Sequence, residues 1–153
     1  MQSCRPIMLV EDDNIDAMTA TRAMKDLHVA NELVRACDGE QALDYLGNNR
    51  NRMPCLILLD LNMPKMNGLE FLRIVKDDED LKTIPVIVLT TSGEQRDIVE
   101  SFKFSVAGYM IKSVNYAEFK ETMSVINRYW TLSEMPEQPD LSEEHELEAA
   151  IAD

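Results

Sequence analysis

The sequence predicts an α/β fold, a parallel sheet with helices on both faces. Three observations lead there. Five short apolar segments recur at intervals of roughly 25 residues: "PIMLV", "ELVRAC", "CLILLDL", "PVIVLTT" and "AGYMIK". The stretches between them carry helical periodicity. The third segment, from Cys55, is continuously apolar rather than alternating, as a strand buried on both faces requires. Strands alternating with helices form βαβ units, and such units place parallel strands between two helical layers.

Along the chain, Ile7–Val10 forms the first strand. Asp13 or Asn14 can cap the helix that follows, in which Ala17, Ala20, Met24 and Leu27 share one face. The segment at Leu33 gives the second strand, and Leu56 onward the third. Asn67-Gly68 opens a helix whose apolar face holds Leu69, Leu72 and Val75, and Ser92-Gly93 precedes the next. The last helix is the clearest, with Phe119, Met123, Ile126 and Trp130 at i, i+4, i+7 and i+11. The pattern stops after Leu132. Residues 133–153 contain two prolines and many acids, which predicts a mobile acidic tail following a domain of residues 1–132. A short helix near Leu147, Ala150 and Ile151 is a weaker expectation.

Composition bounds the function. The 153 residues are 45% hydrophobic and 28% charged, which is ordinary for one globular domain. Net charge is −13, of which −8 falls in Glu134–Asp153, a stretch with eight acids and no Lys or Arg. No basic stripe exists to meet nucleic-acid phosphates. The apolar stretch at Ile7–Val10 is too short for a signal sequence, and no run could span a bilayer. A cytoplasmic protein without direct nucleic-acid or membrane partners is expected. Cys4, Cys37 and Cys55 have no metal-ligand spacing and read as small hydrophobes in a reducing compartment.

Chemistry collects at the strand ends. The first strand ends in "VEDD" (Val10–Asp13), the third in Asp60, the fourth in Thr90-Thr91-Ser92, and the fifth leads to Lys112. In an open parallel sheet, ligands bind beyond the carboxyl ends of the strands. Singly these residues could cap helices, stabilise turns or lie solvated. Together they place clustered acids, hydroxyls and an ammonium along one edge. Packed carboxylates repel one another, and a hard divalent cation such as Mg²⁺ relieves that repulsion through oxygen coordination. A nearby lysine adds a place for an anion, such as a phosphoryl group, and an aspartate can itself be the nucleophile that accepts it.

The ordered set "LVEDD", "LLDLNMPKMNGLEFL", "PVIVLTTS" and "GYMIK" resembles the receiver domain of two-component response regulators over about residues 5–130. The resemblance implies a flavodoxin-like sheet of five strands in the order 2-1-3-4-5 with five helices. It implies that Asp60 is the phosphoacceptor and that a sensor histidine kinase is the donor. Asp12 and Asp60 would ligate Mg²⁺ (or Mn²⁺) directly, Glu11 through water, and Asn62 through its carbonyl. Thr90 would be the switch hydroxyl that moves to the phosphoryl group, Lys112 its counter-charge, and Tyr109 the aromatic that turns inward behind Thr90. More narrowly, "DLNMPKMNGLEFL", "LKTIPVIVLTTS" and "INRYW" resemble stand-alone receivers that partner phytochrome-like kinases. Such a protein is a signalling switch rather than an enzyme. Its downstream protein partner is left unspecified.

Two positions depart from the family pattern. Ser113 stands where a proline usually follows the lysine, and Ser105 where a glycine usually follows the fourth helix. Two rival readings are weighed against the receiver. An aspartate-nucleophile phosphatase would need a general acid two residues after Asp60, where Asn62 stands. A phosphorylation-independent pseudo-receiver would have lost an acid or the lysine, and this chain keeps them all. Finally, Phe102, Phe104, Tyr129 and Trp130 gather near the fourth and fifth helices. Phe104 and Tyr129 fall off the core stripes, so this surface is expected to form a two-fold homodimer, with the tail outside it.

Overall fold

A computed structural model describes residues 5–137. The strands are β1 (Ile7–Val10), β2 (Leu33–Ala36), β3 (Leu56–Leu59), β4 (Val86–Thr90) and β5 (Gly108–Ile111). They form one parallel sheet in the order β2-β1-β3-β4-β5. The helices are α1 (Asn14–Asp26), α2 (Gly39–Asn48), α3 (Gly68–Asp77), α4 (Gln95–Lys103) and α5 (Tyr116–Leu132), with a 3₁₀ turn at Leu81–Thr83 before β4. All five apolar segments are strands, as their spacing predicts.

Alternate side chains of each strand point to opposite faces, and the three central strands are apolar on both. Met8, Val10, Ile57, Leu59, Val86 and Val88 pack with Ala42 and Leu46 of α2 and with Phe71, Leu72 and Val75 of α3. Ile7, Leu9, Leu56, Leu58, Ile87 and Leu89 pack with Ala17, Ala20 and Met24 of α1 and with Phe119, Met123, Ile126 and Trp130 of α5. The four residues read from the last helix are its four buried positions.

Helix starts follow side-chain chemistry. Asp13, Asp38, Asn67 and Asn115 each accept the amide three residues on, satisfying a donor that the first turn leaves open. The fourth helix follows Ser92-Gly93 as expected, but its cap is Glu94 and no side-chain capping bond forms there. Ser105, just after α4, has φ 58°, the left-handed conformation in which the family commonly uses glycine. No peptide bond among the described residues is cis, so the Lys112–Ser113 bond is trans.

Three expectations change. Phe104 is not an exposed aromatic. It is partly buried against the core on the α2–α3 face, while Phe102 is 51% exposed in its place. A step of two residues turns the chain by about half a helical turn, so that Phe104, which closes α4, falls back onto the sheet side. Cys55 is buried as expected, but Cys37 is only half-buried; Cys4 lies outside the described residues. The first tail residues are also held: Met135 packs against the α1–α5 core, and the Pro136 carbonyl accepts from Arg5 Nη1 at 3.3 Å. Residues 138–153, with the expected short helix, lie outside the described residues.

Candidate functional site

Backbone hydrogen bonds run one residue past the strands and fix the first polar positions. The Glu11 amide donates to the Ala36 carbonyl (3.0 Å), that of Asp60 to Val10 (3.0 Å) and that of Lys112 to Thr90 (2.8 Å). Glu11 and Asp60 therefore leave the adjacent strands β1 and β3, and Lys112 leaves β5 beyond β4, all at one edge of the sheet.

Glu11, Asp12 and Asp60 each offer one carboxylate oxygen within 4.8 Å of the others. Glu11 and Asp60 are buried, at 2% and 6% exposure, and Asp12 faces solvent. Three hard oxygen donors this close, two of them desolvated, suit a divalent cation that retains some waters. The Asn62 amide donates to Asp60 Oδ1 at 3.3 Å. Asn62 and Asp12 line one open cleft with Leu61, Met63, Pro64 and Asn67. The loop from Asp60 to Asn67 is set by close approach at its far end. A Cβ on Gly68 would lie 2.6 Å from the Asp60 carbonyl oxygen and 2.7 Å from Leu61 Cα, so only glycine fits.

Lys112 is 8% exposed along its side chain and serves three carboxylates. Its ammonium donates to Glu11 Oε2 and to Asp16 Oδ2 (3.1 Å), and lies 3.7 Å from Asp60 Oδ2. Burial disfavours charge on both members of the Lys112–Glu11 pair, with different outcomes. It pushes the Glu11 carboxyl up to about 7, against the opposing pull of Lys112. For Lys112 burial is again the largest influence and lowers the pKa. The Glu11 hydrogen bond and the Asp60 and Glu11 charges together outweigh it, so the ammonium form is favoured.

Thr90 is fully buried at the end of β4, and its hydroxyl oxygen accepts from the Ser92 amide at 3.4 Å. Tyr109 on β5 is partly buried against the core, and its hydroxyl donates to the Ser92 carbonyl at 2.7 Å. One residue, Ser92, thus touches both proposed switch positions. Its hydroxyl also donates to Asp97 on α4, at 2.6 Å.

All seven residues singled out in the sequence lie along this edge of the sheet: Glu11, Asp12, Asp60, Asn62, Thr90, Tyr109 and Lys112. Three other residues join them. Asp16 lies one helical turn beyond Asp12, and the sequence reading assigns it no role. Ser92 is expected both as a hydroxyl at the end of the fourth strand and as turn punctuation, but not as the link between Thr90 and Tyr109. Arg35, on β2, donates to the backbone carbonyls of Glu11 (3.1 Å) and Asp12 (3.2 Å), and no local pattern marks it.

The chain is similar to known proteins in sequence and in fold. A family model described as response regulator receiver domain matches residues 7–124. The "Probable methanogenesis regulatory protein FilR2" of Methanothrix harundinacea is 40% identical over 128 residues, 81% of this chain and 82% of that protein. Among solved structures, the phosphorylated cyanobacterial phytochrome response regulator RcpA is similar with a TM-score of 0.81 at 37% identity. The match covers 87% of this chain and 99% of that one. The Mn²⁺-bound form of response regulator Rcp1 is similar with a TM-score of 0.79 at 35% identity, over the same shares.

Proposed function

The chain belongs to the response regulator receiver domain family of two-component systems, and from that we propose that it accepts a phosphoryl group from a sensor histidine kinase on Asp60, in a Mg²⁺-dependent reaction. Receiver domains are signalling proteins that partner such kinases. The observation that carries the reading is the buried Asp60 carboxylate, with carboxylate oxygens of Glu11 and Asp12 within 4.8 Å and the Lys112 ammonium 3.7 Å away.

An Asp60 carboxylate oxygen attacks phosphorus, a new oxygen–phosphorus bond forms, and the bond from phosphorus to the donor imidazole nitrogen breaks. A divalent cation held by Glu11, Asp12, Asp60 and the Asn62 carbonyl would neutralise charge on the transferring oxygens. Lys112 supplies the protein's own positive charge to the same group. Burial of Asp60 removes competing water, which strengthens both interactions. No side chain at the second position after Asp60 can act as a general acid, since Asn62 stands there; this disfavours the phosphatase reading.

Signalling then requires a second conformation. The Thr90 hydroxyl turns from the Ser92 amide to the phosphoryl group, a charge-assisted contact. Ser92 and Tyr109 adjust with it, and the rearrangement reaches α4 through Asp97. The surface that changes is that of α4, β5 and α5, where Val99, Phe102, Ile111, Val125 and Tyr129 are exposed. A second copy of the chain docks there across a two-fold axis, more tightly when Asp60 is phosphorylated. Similarity to RcpA supports a kinase of the phytochrome type as donor.

The reading is tested by incubating the protein with acetyl phosphate. One phosphoryl group is expected with Mg²⁺ or Mn²⁺ and none after chelation; equal labelling with and without metal would overturn it.

A further inference from the structure

Lys112 has three N–H donors, and their distribution is uneven. Two are spent on Glu11 and Asp16, at hydrogen-bonding distance, while Asp60 stands farther off at 3.7 Å. A phosphoryl group on Asp60 would draw the ammonium toward it, at the expense of one of its two present contacts. The Glu11 side chain is 2% exposed, so water cannot readily take the place of the ammonium there. The Asp16 side chain is 42% exposed, in a cleft open to solvent with Thr19, Thr91 and Ser113, where water can replace the ammonium. Asp16 is the contact that yields.

We propose that Asp16 is a positioning residue that competes with the phosphoryl group for Lys112 and so sets how firmly the phosphorylated state is held. The proposal rests on Asp60 being the phosphoacceptor. Asp16 works against that state twice: it occupies one of the donors of Lys112, and its own negative charge repels an incoming anion through a partly buried site. Its role in folding is separable. The capping bond of α1 runs from the Asp16 backbone amide to Asp13 Oδ1 (2.9 Å), so a side-chain change at Asp16 leaves it in place.

The test measures binding of beryllofluoride, a phosphoryl analogue, in the presence of Mg²⁺, with ¹⁹F NMR reporting the bound species directly. Asp16→Asn is expected to lower the half-saturating concentration about threefold, the worth of a partly exposed ion pair, with the melting temperature unchanged. Asp16→Glu, which keeps the charge, is expected to stay near wild type. General damage weakens ligand binding, so tighter binding is not what a merely structural role would produce. Equal or weaker binding by Asp16→Asn would overturn the proposal while binding by wild type, absent in Asp60→Asn, upheld the phosphoacceptor reading. No binding by wild type would overturn both.

Discussion

At the scale of single residues, charge and close approach decide the site. Lys112 and Asp12 bring different charges to it, and their removal should be distinguishable. Lys112→Ala keeps the three carboxylates and should still bind Mg²⁺, yet lose stable phosphorylation; Asp12→Ala should lose the metal first. Metal titration followed by tyrosine fluorescence checks this, and equal affinities in the two variants would contradict it. Gly68 is constrained by space rather than by its backbone angles. An added methyl would meet backbone atoms of Asp60 and Leu61, so the loop holding Asp60 and Asn62 would have to move. Gly68→Ala should cost about 1–3 kcal/mol and reduce Asp60 labelling, measured by denaturant unfolding alongside acetyl phosphate treatment.

At the scale of elements, three of the described residues hold left-handed backbone without being glycine: His28 at the end of α1 (φ 56°), Lys65 in the β3–α3 loop (φ 61°) and Ser105 after α4 (φ 58°). At the end of α1 the His28 amide donates to Lys25 and that of Val29 to Met24, closing the helix around the left-handed residue. Ser105→Gly and His28→Gly should each stabilise the fold by about 0.5–1 kcal/mol, since a Cβ is disfavoured there. Thermal or denaturant unfolding would show it. Ser105 was legible in the sequence because it stands at a helix end where glycine is usual. Lys65 was not, because the bend around it depends on packing. Asp38 and the α2 start lie beside the loop, and Met66 fills the space a Cβ on Gly39 would need. In the same way α5 could be read from its stripe alone, whereas Phe104 could not: a residue at a helix terminus is aimed by the turn that follows it, not by the period of the helix. Asp16 and Arg35 were missed for a related reason. Each acts across elements, on a lysine from β5 and on carbonyls after β1, and strand pairing rather than sequence proximity brings them there.

At the scale of the whole molecule, one ion-pair network ties α2 to the far end of α3. Arg50 donates to both carboxylate oxygens of Asp78 at 3.3 and 3.1 Å. That contact, helped by the Leu81 and Asp80 amides against a smaller opposing effect of burial, holds the Asp78 carboxyl down at about 2. A carboxyl depressed by folding contributes stability above its unfolded value, near 3.8, and loses it as pH falls toward 2. Arg50→Ala should therefore cost about 1 kcal/mol at neutral pH, allowing for the pair's partial exposure. The difference from wild type should shrink below pH 4, as acid titration of unfolding would show. Assembly belongs to this scale too. With Phe104 on the core side, Phe102 and Tyr129, 51% and 55% exposed, remain as the aromatics of the α4–β5–α5 surface. Sedimentation should show a dimer that tightens with beryllofluoride, and Phe102→Ala should weaken it. A monomer at every concentration, with and without beryllofluoride, would exclude that surface as a self-interface.

Asp60 is the centre of the site, and mass spectrometry reads its chemistry most directly. After acetyl phosphate and Mg²⁺, the wild-type chain should gain the mass of one phosphoryl group, located on the peptide that contains Asp60, and Asp60→Asn should gain none. Equal labelling of the two proteins, or a phosphoryl group on any other residue, would contradict the assignment.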